Sequence, residues 1–453
     1  MRETIGVSKS SSVAPAIRIE VSFQPQLTTL TTKVTADWKP SSARHTSTPL
    51  LPSTLPKYGP LMLLQLGQVP ALVVSSADMV KEIIKNHDIA FSSRPKTTAG
   101  DFMLYGCQDV GLAPYGEYWR KARKICVLEL LSLKRVQQFQ FVRDEVTIAL
   151  IERIRRTSQS SKDFTINLSE MLIAASNNIL SRCVLGRNLE KEGDGSRTHR
   201  SLEKNFREID TFFDEVVEEH KAVLEGGVGG SNMKDFVDIL LRLQKNGMLD
   251  FELTQDNMKA ILVDMFIGGS DTTSTALEWL MAELVRHPKE MKKAQEEVRR
   301  VVGNRPKIDM NDLNRMDYLK CVIKETLRLH PPLPLQVPRE TIANVDVGGY
   351  LIPEKTRVFI NSWAIQRDPN IWDKPEEFLP ERFQESAIDF KGQDFPFVPF
   401  GSGRRGCPGL SFGVASTEYL TANLLYWIMY ASKYAFITHS SVAYQCVPLR
   451  VQL

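Results

Sequence analysis

The stretch Phe400-Gly-Ser-Gly-Arg-Arg-Gly-Cys407-Pro-Gly409 puts one cysteine in a glycine-rich, arginine-bearing loop, immediately before an apolar run over 410–430 that reads as a helix. A sulfur at the start of a helix meets the positive end of the backbone dipole and unpaired N–H groups, both of which favour thiolate over thiol. Metal binding removes the proton altogether. Gly401, Gly403, Gly406 and Gly409 let the backbone turn tightly and approach a flat ligand, and Pro408 fits a first helical turn without losing a hydrogen bond. No second Cys or His stands at zinc spacing, so a metal at Cys407 must bring further ligands of its own. A porphyrin iron does so through its ring nitrogens.

Two other readings of these residues stay open at this point. In one, Cys407 is a buried structural cysteine, the common fate of a free intracellular thiol. In the other, Gly401-x-Gly403-x-x-Gly406 is a dinucleotide fingerprint following a strand over 395–400. That reading needs a βαβ unit, and two arginines stand where a pyrophosphate would approach.

The chain of 453 residues has room for a large core, and its ordinary composition is that of a globular protein. Six scattered cysteines do not form a disulfide framework, and a net charge of +3 gives no reason to expect a nucleic-acid partner. Residues 1–56 are rich in Ser, Thr and Pro, poor in acids, and read as a disordered leader without an apolar run long enough to span a bilayer. Helical spacing of apolar residues covers 78–87, 118–131, 134–156 and 167–185, with strands expected over 61–66, 71–74 and 357–360. Polar punctuation at 191–200 and 226–231 marks loops.

Helix 255–286 breaks its own pattern in the middle. Gly268-Gly269-Ser270-Asp271-Thr272-Thr273 sets two poor helix formers and four polar side chains inside an otherwise apolar helix, at about 1 kcal/mol per glycine. Such inconsistency is expected at functional sites, and Asp271 and Thr272 are suited to relaying protons. Trp119 and Arg123 stand four apart on one helix face. Glu325-Thr-Leu-Arg328 is an i, i+3 ion pair, and the same spacing at Glu152/Arg155, Glu283/Arg286, Glu296/Arg299 and Glu297/Arg300 reads as solvated helix faces. Pro331, Pro332, Pro334 and Pro338 make the following segment extended.

Phe-x-x-Gly-x-Arg-x-Cys-x-Gly at 400–409, preceded in order by Glu325-x-x-Arg328 and Pro380-Glu-Arg-Phe383, resembles the haem-thiolate monooxygenases, the cytochromes P-450. Lys57-Tyr-Gly-Pro60, Val73-Val-Ser-Ser-Ala-Asp78 and Phe91-Ser-Ser-Arg-Pro95 are similar to the plant A-type branch, and the likeness covers 57–430. The resemblance implies a mainly α fold with a small β region, and haem b held by Cys407 as axial ligand. It implies that Phe400 belongs to the haem-binding loop and that Trp119, Arg123, Arg339 and Arg405 serve the propionates. Asp271 and Thr272 would assist O2 chemistry. Glu325, Arg328 and Arg382 would form a buried charged triad, and Leu333, Leu335 and Val337 would line a pocket for a small lipophilic plant metabolite. Electrons would come from an NADPH-cytochrome P-450 reductase, docked over Lys121, Lys124 and Arg404. Membrane-bound relatives sit on the cytoplasmic face of the endoplasmic reticulum, but the anchor segment they begin with is missing here.

Three departures accompany the resemblance. Besides the leader, the chain is shorter than the family pattern between Val184-Leu-Gly186 and Ile209-Asp-Thr-Phe, so a reduced helical lid is expected. The tail over 431–453 replaces a longer β-rich ending. An opened pocket suggests the alternatives: a haem protein without turnover, or a haem-thiolate isomerase or dehydratase acting on peroxides, against which the Asp271-Thr272 pair counts.

Overall fold

The computed structural model describes residues 59–160, 165–187, 202–226, 235–246, 249, 251–427 and 450–452. The leader expected over 1–56, the loop over 191–200, most of 226–231 and the tail over 431–453 apart from 450–452 lie outside the described residues.

Two near-continuous apolar runs build a hairpin, β1 (Leu61–Leu66) with β2 (Val69–Val74), in register from Leu61↔Val74 to Leu66↔Val69. Much later in the chain, β7 (Arg357–Ile360) adds parallel to β2, and β4 (Arg339–Glu340) adds antiparallel to β7, giving the order β1-β2-β7-β4. Leu72, Val74, Ile83, Phe91, Val358 and Ile360 form a small core beneath this sheet. Two further pairs complete the β structure among the described residues: β3 (Thr165–Asn167) with β8 (Arg450–Gln452), and β5 (Val345–Val347) with β6 (Tyr350–Ile352).

The rest is helical around one large apolar core. The helices that frame it are α1 (Glu117–Ile125), α2 (Gln140–Ser160), α3 (Leu168–Leu185), α4 (Gln255–Gly269), α5 (Asp271–Arg286), α6 (Pro288–Val302), α7 (Asp317–Leu329) and α8 (Leu410–Trp427). Helix α3 packs against both α4 and α5, and α5 packs against α7 and α8. The helix following Cys407 therefore neighbours the one that carries Thr272.

Three expected helices are subdivided. The segment 134–156 is two helices, Leu133–Gln138 and α2, separated at Phe139, and α1 gives way to a wider turn over Cys126–Leu130. The segment 255–286 is divided at Ser270, directly after the two glycines. Its start follows the sequence: Thr254 Oγ1 accepts the Asn257 N–H at 3.2 Å while Asn257 Oδ1 accepts the Thr254 N–H at 3.0 Å, a reciprocal cap.

Of the i, i+3 pairs read as solvated faces, two serve other purposes. Glu283 is buried and paired with His330 at 2.8 Å and His287 at 3.2 Å. Glu297 accepts the N–H groups of Tyr318 and Leu319 at 3.0 and 2.9 Å, capping α7. Sequence spacing cannot reveal which surface a neighbouring helix covers.

Candidate haem site

The loop before α8 closes on itself. Cys407 N–H donates to the Phe400 carbonyl at 2.8 Å, and Gly406 N–H to the Gly403 carbonyl at 3.0 Å. Gly403 has φ +66°, and a Cβ there would lie 2.7 Å from Asp88 Oδ1, so conformation and space both demand glycine. Cys407 is open to solvent, yet enough protein surrounds it for burial to push its thiol pKa up. A side chain that is deep but uncovered faces a slot. The Gly409 N–H and the Arg123 charge favour the thiolate, as the helix-start argument expects, but burial outweighs them until a metal displaces the proton.

Four arginines converge beside this loop. Arg123 Nη2 donates to the Gly406 carbonyl at 2.5 Å, and Arg339 Nη2 to the Ser402 carbonyl at 2.7 Å. Arg405 reaches back to the carbonyls of Ser92, Val110 and Ala113 at 2.6, 3.2 and 2.6 Å, with its guanidinium 4.1 Å from the Trp119 ring centroid. Arg94 donates to Gly111, Val337 and Pro338 carbonyls at 2.9, 2.6 and 2.7 Å. The Trp119 indole N–H donates to the Val110 carbonyl at 3.0 Å.

These cations are short of counter-charge. Among the described residues the cluster's ion pair is Arg339 with Asp88, at 3.4 Å. Burial first, and then mutual repulsion, lowers the pKa of Arg94 well below the ordinary value and takes Arg405 down to about 9. Arg339 and Arg123 are lowered mainly by burial. A buried excess of positive charge is costly unless an anion joins it. The paired propionates of a haem fit that excess, and a thiol facing a slot fits its iron.

Past its break, the divided helix packs as α5 against α8, the helix that follows Cys407. Gly268 is exposed, with nothing within 4 Å of where a Cβ would be. Gly269 differs: a Cβ there would lie 2.9 Å from Leu180 of α3, so it is small because α3 packs on it. Ser176 of α3 donates to the Ser270 carbonyl at 3.1 Å, and Ser270 Oγ bonds Asn177, holding the break from behind. Thr272 Oγ1 donates to the Gly268 carbonyl at 2.6 Å, and Asp271 is exposed beside it. Of the extended segment, Leu333 is 45% exposed and Leu335 and Val337 are half-buried.

Glu325, Arg328 and Arg382 form a closed network. Arg328 makes two bonds to the Glu325 carboxylate at 2.8 and 2.9 Å, and Arg382 Nε a third at 2.9 Å. Gln366 links this network to the cysteine loop: its amide donates to the Leu327 and Arg328 carbonyls at 3.0 and 2.9 Å, and its oxygen accepts the Val398 N–H at 3.1 Å. The sequence reading assigned no role to Gln366, Arg94 or Asp88. For Arg94 a signal existed in Phe91-Ser-Ser-Arg-Pro95.

A helical fold that presents a lone cysteine to a slot, beside arginines short of an anion, is the architecture of a haem-thiolate protein. The family pattern described as cytochrome P-450 matches residues 53–199 and 193–426, two segments that meet where the chain is shorter than expected. The chain is 51% identical over 402 residues to phenylacetaldehyde oxime monooxygenase of Prunus mume, covering 82% of this chain and 76% of that protein. It is 47% identical over 400 residues to desmethylyatein synthase of Sinopodophyllum hexandrum (82% and 80% covered). To strychnine-11-hydroxylase of Strychnos nux-vomica it is 44% identical over 405 residues (82% and 78% covered). Among solved structures, a zebra fish cytochrome P-450 with abiraterone superposes at a TM-score of 0.71 with 28% identity, covering 82% of this chain and 88% of that one. The chain belongs to the cytochrome P-450 family. It is a monooxygenase of the plant type whose cofactor is haem b.

Proposed function

We propose that this monooxygenase inserts one oxygen atom from O2 into a small lipophilic plant metabolite, using electrons from an NADPH-cytochrome P-450 reductase. The observation that carries the reading is the union of an uncovered, deep Cys407 with four under-neutralised arginines at one loop. When bound, haem supplies the activation of O2; the chain supplies everything around it.

Cys407 would hold the haem iron through its sulfur, and its Gly409 N–H and Arg123 neighbours favour that sulfur's negative charge. Phe400 fixes the loop by accepting the Cys407 N–H, while Arg123, Arg339, Arg405 and the missed Arg94 form the propionate seat. Trp119 serves that seat from beneath, stacked under Arg405 and anchored to Val110. Glu325, Arg328 and Arg382 hold the fold behind the loop. On the opposite wall, Gly268 leaves room for a small molecule, and Thr272 keeps a hydroxyl proton on the Gly268 carbonyl that it can exchange with solvent or with Asp271. Leu333, Leu335 and Val337 give the substrate pocket an apolar side, with Leu333 exposed in readiness for an apolar partner.

Helix Leu202–Glu225 roofs part of the molecule despite the shortened interval. Phe206 packs its ring 5.6 Å from Phe102 and 5.2 Å from Tyr105, and Tyr105 donates to Asp210 at 2.8 Å. Reductase docking is assigned to the basic surface of Lys121, Lys124 and Arg404, and residence at the cytoplasmic face of the endoplasmic reticulum follows the membrane-bound relatives. No helix among the described residues is long and apolar enough to cross a membrane.

The test is turnover with a plant reductase, NADPH and isotopically labelled O2 against a panel of lipophilic metabolites. Product carrying one labelled oxygen is expected. Thr272→Ala should consume NADPH at a comparable rate with product formation reduced about a hundredfold, the low end of the range for losing one proton-transfer group. Haem binding without labelled product from any reductase would overturn the monooxygenase assignment, and full coupling in the variant would remove Thr272 from the proton path.

A further inference from the structure

We propose that Asp264 is a positioning residue: sharing one proton with Asp109, it ties segment 109–113 to α4 and thereby fixes the carbonyls that hold Arg94, Arg405 and Trp119. The inference rests on reading the arginine cluster as the propionate seat.

Asp264 lies on α4 one turn before Gly268, and its Oδ2 accepts the N–H groups of Val110 and Gly111 at 2.6 and 3.0 Å. The same two residues turn their carbonyls toward the seat. Val110 accepts from Trp119 and Arg405, and Gly111 from Arg94. One carboxyl thus pins from behind the peptide units that face the arginines.

Asp109 shows where the proton sits. Its Oδ2 accepts the Leu112 N–H at 2.6 Å, but its Oδ1 is fully buried without any donor. A buried acceptor left unmet costs about 1–3 kcal/mol, so a donor is expected. Both carboxyls lie against Gly111, where a Cβ would be 3.1 Å from Asp264 Oδ1 and 3.3 Å from Asp109 Oδ2. A proton on Asp264, donated to the Asp109 carboxylate, removes the repulsion between the two carboxyls. Burial, followed by the charge of Asp109, holds the Asp264 carboxyl well above the usual carboxylate range; Asp109 is raised too, chiefly by burial.

The groups facing the pair are known. Arg94 and Arg405 bring positive charge, and Cys107, Tyr118 and Cys126 face it as neutral groups, their pKa values raised mainly by burial. The two arginines offset only part of the burial. Because the folded state keeps a proton that the unfolded chain releases, the pair costs nothing below the ordinary carboxylate range and weakens the fold as pH rises from there toward its raised value.

The experiment compares full-length wild type with Asp264→Asn and Asp264→Ala, reading haem transfer to apomyoglobin and melting of the apoprotein across pH. In the asparagine variant the amide oxygen keeps both N–H groups and the amide nitrogen supplies the donor to Asp109. It should retain haem as wild type does at low pH and show a flatter pH dependence than wild type in both readouts, lacking the share that the pair contributes. Asp264→Ala should release haem about tenfold faster, as expected for losing one buried charge-competent acceptor. Wild type should shift toward that rate as pH rises. An alanine variant that retains haem, or an asparagine variant with wild-type pH dependence, would overturn the proposal. If wild type takes up no haem, the propionate seat itself falls, while the apoprotein melts still decide the shared proton: a wild-type slope that Asp264→Asn flattens supports it, and parallel curves sink it.

Discussion

Two buried charge clusters flank the cysteine loop, and they are built on opposite plans. Around Glu325, one carboxylate accepts from Arg328, from Arg382 and from the Leu379 N–H, and the remaining arginine donors end on the carbonyls of Gln366, Pro375, Asp373 and others. That network is complete without anything else. Around Arg405, four guanidiniums meet with little counter-charge and lowered pKa values. The contrast separates a network that holds the fold from one that awaits a ligand. Conserving charge balance stabilises, whereas leaving it open creates affinity.

Substitutions should break that contrast in graded ways. Glu325→Ala leaves two arginines buried without their anion and should cost about 3–5 kcal/mol, a large part of a typical domain's stability. Urea melts of the apoprotein would show it as a collapsed midpoint or as lost soluble expression; a midpoint near wild type would refute the closed-network reading. Arg405→Met removes a cation from a crowded site, so apoprotein stability should hold or rise while haem is released about tenfold faster, the loss of one charge-assisted bond. Haem binding restores counter-charge and raises the Arg405 pKa from about 9, so wild-type affinity should fall as pH climbs above that value. Equilibrium haem titrations on either side of it would check the sign.

The smallest effects concern the two glycines. Gly269→Ala must push Leu180 aside and should destabilise by about 1–3 kcal/mol. Gly268→Ala meets nothing and gains helix propensity, so its melt should be unchanged or up by about 1 kcal/mol. Its methyl group projects into the open wall, and oxygen-dependent turnover should drop. Identical melts for both would mean that α3 does not define the groove.

Much of this was legible in the residues. The Cys407 loop, the Glu325 and Arg328 pair with Arg382, and the disrupted pattern at 268–273 each lie within a short stretch, where spacing and residue type carry the information. Long-range closure was not legible. Arg94 meets Val337 and Pro338 across the chain, Gln366 bridges Arg328 to Val398, and Asp264 pins Val110, none of which leaves a periodic trace. The break at Ser270 illustrates the boundary: the glycines and polar residues announced a defect, but only the packing of Leu180, Ser176 and Asn177 divides the helix in two. Likewise, Glu283 is paired with His287 one turn on and with His330 from beyond its own helix, and its i, i+3 spacing to Arg286 carries no sign of the second contact.

Every role assigned around the loop depends on a bond between the Cys407 sulfur and haem iron. The spectrum of the reduced carbon monoxide complex reads it directly in purified full-length protein. Wild type should show the red-shifted Soret band of thiolate ligation, and Cys407→Ala should lose that band while remaining soluble. The same band in both proteins, or none in haem-loaded wild type, would contradict the account.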